Sequence, residues 1–361
     1  MASGSKSEEI DLMSCKMPAW NPLVSIMLPA RDAAATLKAA ALSCLEQSFS
    51  DLELLVIEND SNDETREVMA HIAASDSRAR IVSAPAGAGF IAALNLGWQE
   101  ARGRFLARMD ADDVSHPDRI AQQVAFLDYR PDIDACGSLV RILRRGPEGE
   151  NLEPLQGYLD YQRWLNSVVD PGSIAAQRFV DSPIANPCAM IRREVFGRMG
   201  GYHDVSWAED YDFWLRLLEA GGRIAKVPEF LLDWYDSESR LTRNDEHYSQ
   251  ERFLEAKAHF LSRLRIVNER GIAICGAGPI GKQLARLLKS EGASVRTFFE
   301  VNERLIGNRI GGIEVLGSPD LPIAGEVVMI GAVGLPGARD RIRELLQPLG
   351  YREGEDFFCV A

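Results

Sequence analysis

Arg108-Met109-Asp110-Ala111-Asp112-Asp113 follows Phe105-Leu106-Ala107, a run that reads as a buried strand. Three carboxylates at the mouth of a strand repel one another, and folding alone does not favour the arrangement. A bound divalent cation does, because Mg²⁺ and Mn²⁺ take oxygen ligands and bridge to substrate phosphates. The stretch therefore points to chemistry built on a metal-held diphosphate. Asp-x-Asp is short, and a solvated acidic turn is its usual explanation. Its place after a buried strand and before the helix start Pro117-Asp118-Arg119-Ile120 favours the metal. Asp112 is the leading ligand, Asp110 reaches the metal or a ribose hydroxyl, and Asp113 is available to cap the segment that follows.

Outward from this stretch, strands alternate with helices. Val24-Ser25-Ile26-Met27-Leu28 is short and β-prone, and 36–49 has helical periodicity. A second strand, 52–57, ends in Glu58-Asn59-Asp60-Ser61-Asn62-Asp63. A helix over 64–74, a strand over 80–83 and a helix over 91–102 lead to the strand at 105–109. This alternation predicts a mostly parallel, doubly wound sheet, with ligands bound beyond the carboxyl ends of its strands. Pro29-Ala30-Arg31-Asp32, Glu58-Asn59 and the acidic cluster all fall at such ends.

Beyond the loop Gly146-Pro147-Glu148-Gly149-Glu150 the pattern is less regular. Helices are expected over 158–168, 173–179 and 210–220, short strands over 190–192 and 225–228, and one long amphipathic helix over 246–264. Trp207-Ala208-Glu209-Asp210-Tyr211-Asp212 opens the 210–220 helix. Acids in a first turn are ordinary capping chemistry, and at least one of these three suits that role. Another is a candidate general base aimed at an acceptor hydroxyl. The sequence does not choose between Glu209 and Asp210. Trp207, Trp214 and Trp234 offer faces to a sugar, with packing the expected role for at least two of them.

A second α/β unit begins at Gly271. Strand 271–275 runs into Gly276-Ala277-Gly278-Pro279-Ile280-Gly281, then a helix over 282–291 and a strand over 295–299 that ends at Glu300. This is the setting in which a glycine-rich turn binds a dinucleotide, with the acid on a ribose. Gly276, Gly278, Gly281 and Glu300 are therefore candidate nucleotide contacts. Tight turning and close helix packing account for the same glycines.

The 361 residues suit two domains. A net charge of -13 argues against nucleic acid, which needs a basic footprint. The six Cys form no C-x-x-C pair, which fits buried thiols in a reducing cytosol. No apolar run reaches the ~18 residues of a membrane span, and the polar stretch 1–20 reads as a flexible lead-in. Arg141, Arg144 and Arg145 form a small basic group that suits either a membrane-held acceptor or a solvated strand end.

These ordered motifs resemble a family 2 glycosyltransferase with the GT-A nucleotide-diphospho-sugar fold. Val24 to Asp32 is similar to the family's opening strand and turn, Val56 to Thr65 to its second strand end, and Arg108 to Asp113 with Pro117 and Arg119 to its DxD segment. Met199-Gly200-Gly201-Tyr202 and Glu209 to Arg216 are similar to its acceptor-side segment. The resemblance implies an α/β GT-A sheet over 21–245, a linker helix over 246–268 and a small Rossmann-like α/β domain over 269–361. It implies that Pro29 and Arg31 face the nucleobase, that Glu58 or Asn59 contacts it, and that Asp110 and Asp112 hold the ribose and a divalent cation, Mn or Mg. It places Asn95, Arg108 and Trp207 with the substrate. Asp210 becomes the base of an inverting transfer, with Glu209 orienting substrate. Wider relatives carry a His in a loop after the last sheet strand. Here the comparable stretch, Trp234 to Thr242, has none, and Arg240 is available to neutralise diphosphate charge.

The implied partners are a nucleotide-diphosphate sugar donor and a glycan or lipid-linked acceptor, in cell-surface glycan synthesis. The implied location is cytoplasmic, and the reading allows peripheral contact at the inner membrane face and a homo-oligomer. A nucleotidyltransferase shares the sheet and metal logic, but the first loop, Pro29 to Ala33, lacks the glycine-rich, basic character that a triphosphate requires. A non-catalytic nucleotide-sugar sensor or scaffold is the third reading.

Overall fold

The computed structural model describes residues 21–146, 150–236, 240, 243 and 245–361. The expected lead-in 1–20, the tip of the 146–150 loop and most of the 237–242 stretch lie outside the described residues.

The first unit is a nine-stranded sheet. Its strands are β1 (Val24–Ala30), β2 (Leu52–Glu58), β3 (Ala79–Ser83), β4 (Phe105–Arg108), β5 (Val114–Ser115), β6 (Ala135–Arg145), β7 (Asn151–Leu152), β8 (Met190–Arg192) and β9 (Ile224–Asp236). They run in the order β3-β2-β1-β4-β8-β6-β9-β5, with β7 on β6. Every residue of β1 and β2 is buried, as expected of parallel strands covered by helices on both faces. Of the two acids in β2, Glu53 lies mid-strand and is fully partnered. Ser25 Oγ donates to its Oε1 at 2.6 Å, the Arg102 N–H to the same oxygen at 2.8 Å, and Arg80 Nε to its Oε2 at 3.1 Å.

The sheet is parallel only in its first half. β8 runs antiparallel to both β4 and β6, and β5 antiparallel to β9, so a mixed half replaces the mostly parallel sheet read from the alternation. β9 was expected to stop at Pro228 and instead extends to Asp236. The register against β6 jumps from Val227↔Ser138 to Phe230↔Leu139. Pro228 thus sits in a bulge where the ladder asks for no N–H, and the strand passes through it. The single helix expected over 246–264 is also divided. Asp245 caps a short turn, Glu246–Tyr248. Ser249 then caps the helix Gln250–Arg263, and extended Leu264 separates that helix from Arg265–Arg270.

The second unit is a six-stranded sheet of β10 (Ile272–Cys275), β11 (Val295–Glu300), β12 (Arg309–Ile310), β13 (Ile313–Gly317), β14 (Val328–Gly331) and β15 (Phe357–Cys359), in the order β12-β13-β11-β10-β14-β15. All its pairings are parallel except β12 with β13. The glycine-rich turn after β10 is tied to the neighbouring strand end. The Ala277 N–H donates to Glu300 Oε2 at 2.8 Å, and Glu300 Oε1 accepts from the N–H groups of Val301 and Asn302. Gly276 has φ +108, outside the range of most side chains.

The two units pack on one another. Phe179 meets Phe358 edge-on at 5.5 Å, and the Arg178 guanidinium lies 4.9 Å from the Phe358 ring. Between them Lys257 Nζ donates to the carbonyls of Val180 and Val360, each at 2.9 Å. Burial pulls this ammonium down to about 8. The five described cysteines are free and buried. Among the described residues no helix is long and apolar enough to cross a membrane.

The glycines of the second unit separate by contact. A Cβ on Gly281 would lie 2.0 Å from the Gly276 carbonyl oxygen, whereas one on Gly278 would meet nothing within 4 Å. Gly281→Ala is expected to cost about 1–3 kcal/mol through overpacking, and Gly278→Ala to stay within ~0.5 kcal/mol. Urea midpoints of the two variants measure the difference.

Candidate active site

The register of the parallel strands aligns their carboxyl ends. Ala30 pairs with Glu58 and Met27 with Arg108, so the turns after β1, β2 and β4 open on one edge. Two of these turns hold non-glycine residues in the left-handed region, Asp32 at φ 49 and Asp60 at φ 59. They are fixed by side-chain bonds. Asp32 Oδ1 accepts the Asn62 N–H at 2.7 Å, and Glu58 Oε1 accepts the Ser61 N–H at 2.7 Å. Arg66 also donates to Glu58 Oε2. Together these hydrogen bonds hold the Glu58 carboxyl below its ordinary range against the opposing effect of burial. Asn59 is buried beside it, while Arg31 is exposed and pairs only loosely with Asp32, at 3.7 Å. Pro29 is buried inside β1.

Asp110, Asp112 and Asp113 sit just past β4, and each offers an oxygen within 4.8 Å of the others. Two buried arginines share their charge. Arg108 is 2% exposed and lies 3.0 Å from Asp110 Oδ1. Arg240 lies 3.3 Å from Asp110 Oδ2 and 3.8 Å from Asp113 Oδ2. The cluster is therefore not a bare acidic turn. Burial pushes the carboxyl of Asp112 up and that of Asp113 far up, with Arg240 opposing in both cases. Asp113 does not cap the next segment. Its Oδ1 accepts the Tyr235 N–H at 2.8 Å, pinning β9 against the acidic turn, while its buried Oδ2 accepts no hydrogen bond. An orphaned carboxylate oxygen, with two further carboxylates in reach, is a donor set that suits a hard divalent cation.

The floor of this cluster is held by a third arginine. Arg119 is fully buried, donates to the Arg108 carbonyl and to Gln123 Oε1, and Gln123 Nε2 in turn donates to the Cys188 carbonyl. The end of β4 is thereby tied to the mixed half of the sheet.

The second acidic group enters from the helix Glu209–Glu219. Glu209 Oε2 accepts the Tyr248 O–H at 2.7 Å, and Asp210 Oδ1 accepts the Tyr211 N–H. Burial raises both carboxyls, Asp210 far more, and Glu209 adds to the rise at Asp210. Both also feel Asp110 and Arg108, so the two acidic groups face one electrostatic environment. Asp212 is the structural member: it takes Trp207 Nε1 at 3.2 Å and Arg216 Nε at 2.6 Å. Trp207 meets the His259 ring at a tilt, with centroids 5.4 Å apart. Asn95 exchanges two hydrogen bonds with the backbone of Tyr202, which braces the glycine turn at 200–201. Gly276, Gly278, Gly281 and Glu300 belong to the second unit, the glycines in the turn and helix after β10 and Glu300 at the end of β11.

The sequence reading passed over several groups at this edge. Tyr248 holds Glu209. Tyr161 lies 5.9 Å from Trp234, and burial together with Asp181 and Asp210 lifts its hydroxyl far above its usual range. Arg145, read from the sequence only as part of a basic group with Arg141 and Arg144, has its guanidinium 4.3 Å from the Tyr235 ring. The spacing Tyr158-x-x-Tyr161-x-x-Trp164, one face of a helix, was the available signal.

The family model described as Glycosyl transferase family 2 matches residues 25–200. An uncharacterized glycosyltransferase of Haemophilus influenzae is 30% identical over 220 residues, which cover 59% of this chain and 65% of that protein. The O-antigen biosynthesis glycosyltransferase WbnJ of Escherichia coli is 29% identical over 177 residues, 49% of this chain and 64% of that one. The match thus spans just under two thirds of these curated relatives. Among solved structures, S. aureus TarS 1-349 in complex with UDP-GlcNAc superposes with a TM-score of 0.51 at 13% identity, over 74% of this chain and 71% of that one, which shows a shared fold. The order of strands, the acidic turn after β4 and the profile of residues 25–200 agree in making the N-terminal unit of this chain similar to glycosyl transferase family 2.

Proposed function

We propose that the protein moves a sugar from a nucleotide-diphosphate sugar to an acceptor hydroxyl, with inversion at the anomeric carbon and with a divalent cation, in the synthesis of a surface glycan. The observation that carries this reading is the convergence of Asp110, Asp112 and Asp113 at the edge that also receives Asp210. The match of residues 25–200 to the family model and the O-antigen name of the E. coli relative support the reaction class and the kind of product.

The chain's own groups have distinct tasks. Glu58 or Asn59 meets the nucleobase at the end of β2, with Pro29 and Arg31 beside it. Asp110 and Asp112 hold the cation, which when bound supplies Lewis-acid stabilisation of the departing nucleoside diphosphate. Arg108 and Arg240 balance the acidic turn and set charge-assisted donors next to it. Asp210 accepts the proton of the acceptor hydroxyl as that oxygen bonds to the anomeric carbon and the carbon–diphosphate bond breaks. One displacement with one base inverts the centre. Glu209, fixed by Tyr248, orients the base and the acceptor.

Titration calorimetry with UDP and GDP tests the metal. Binding is expected with Mn²⁺, to vanish with EDTA, and to weaken at least ~10-fold in Asp112→Asn. Metal-independent binding of equal strength would remove the cation from the reading. Asp210→Asn is expected to lower acceptor-dependent turnover by about 10²–10⁴ while donor affinity stays within about twofold. Turnover should also fall on the acid side above the ordinary carboxylate range. Asp210 must be ionised to act, and burial, Glu209 and Asp110 raise its pKa while Arg108 opposes them. A pH–rate profile that stays flat down to pH ~4 would exclude Asp210 as the base.

A further inference from the structure

The glycine-rich turn after β10 has no part in sugar transfer, and packing accounts for only some of its glycines. Gly276 needs its positive φ, and a Cβ on Gly281 would strike the Gly276 carbonyl. Gly278 needs neither. Its φ is an ordinary -75, and a Cβ there would meet nothing within 4 Å. The missing side chain leaves open the approach to the helix Pro279–Ser290. At that approach the N–H groups of Gly278 and Ile280 make no hydrogen bond among the described residues, while the Lys282 N–H returns to the Gly278 carbonyl at 3.0 Å. Free N–H groups at the positive end of a helix suit a phosphate.

A helix start alone names no ligand, and the surrounding sheet adds the rest. The parallel strands lie in the order β13-β11-β10-β14-β15, so the chain leaves β10 to one side for β11 and to the other for β14. The carboxyl end of β10 is thus the switch point at which such sheets bind nucleotides. At the adjoining strand tip, Glu300 is aimed by the N–H groups of Ala277, Val301 and Asn302. Only the Ala277 bond falls on Oε2, so that oxygen retains acceptor capacity beside the turn, as a ribose hydroxyl requires. The walls of the crevice are apolar. Val301, next to Glu300, is 75% exposed, and Leu335, in the loop after β14, is 71% exposed. That loop closes on the turn, since a Cβ on Gly334 would lie 2.9 Å from Ile280 Cδ1.

The same walls select the ligand. Uracil and guanine carry ring carbonyls that must be paired when covered, whereas adenine carries none. The loop after β14, Gly331-Ala332-Val333-Gly334-Leu335-Pro336-Gly337, has no polar side chain, so a nicotinamide carboxamide would find no side-chain partner there. We propose that the C-terminal unit binds adenosine diphosphate without a metal. The diphosphate meets the Gly278 and Ile280 N–H groups, the ribose 2′-hydroxyl meets Glu300, and the adenine lies against Val301 and Leu335. No bond is made or broken at this site, and it does not rest on the transfer reading.

Titration calorimetry of the full chain in EDTA, with ADP, 2′-deoxy-ADP, NAD⁺ and UDP, tests it. ADP should bind, 2′-deoxy-ADP about tenfold more weakly, NAD⁺ no more tightly than ADP, and UDP not at all. Gly278→Ala should weaken ADP about tenfold or more while its urea midpoint stays at the wild-type value, a loss that a purely structural glycine would not show. Glu300→Gln should narrow the gap between ADP and 2′-deoxy-ADP. Absence of ADP binding, an affinity unchanged in Gly278→Ala, or a tenfold preference for NAD⁺ over ADP overturns the proposal. Mn²⁺-dependent binding of UDP reports on the acidic cluster and should be the same in both variants. Its absence in the wild-type chain would defeat the transferase reading and leave this site untouched.

Discussion

The site depends on a balance of buried charge. Three aspartates within 4.8 Å of one another cannot all remain ionised without opposite charge nearby. Arg108 and Arg240 supply it from two directions, one from the end of β4 and one from beyond β9. Neither arginine has an inexpensive alternative location, because desolvating a guanidinium is costly unless it is paired. The aspartates therefore hold the arginines as much as the arginines hold the aspartates. Asp113 adds a mechanical element: by accepting the Tyr235 N–H it fastens the late strand β9 to the early turn after β4. A segment more than a hundred residues downstream, by the numbering of Asp113 and Tyr235, is drawn into the site by one carboxylate oxygen, while the other stays available.

The same logic extends into the core. Arg119 stands at the start of a helix, where a cation is disfavoured by the dipole, yet it is fully buried. Its donors go to the Arg108 carbonyl at the end of β4 and to Gln123 Oε1. A residue unsuited to its helix position is retained because it completes the hydrogen bonding beneath the acidic turn.

How much of this was legible in the residues depended on the range of the interactions. The parallel half of the sheet could be read because each of its strands is a short apolar run bounded by turn residues, with local periodicity deciding strand or helix. Met190–Arg192 was located to the residue, and the ends of β1, β2 and β4 within one or two. Apart from β8, the mixed half was not legible. β6 carries Gly137, Ser138 and three arginines and was read only as a strand end, since its pairing with the bulged β9 is a tertiary fact. Pro228 hid the continuation of β9, because a proline reads as a stop wherever the bulge around it is unknown. The acidic cluster was read from its position, but its arginine partners were not, apart from Arg240 as a possible phosphate contact. Tyr161 and Trp164 were present in the sequence at helical spacing. Aromatic residues at that spacing usually mark a core face, and Trp164 is part of one, with Tyr161 packed against it.

Lys257 ties the two sheets together at their junction. Its ammonium is enclosed by carbonyls from both sides of the junction, so separating the units would leave a charge in a half-open apolar seam with its acceptors withdrawn. The molecule should therefore lose its structure in one cooperative step, and severing the chain near the junction should yield fragments that lack each other's missing wall, not two independent modules.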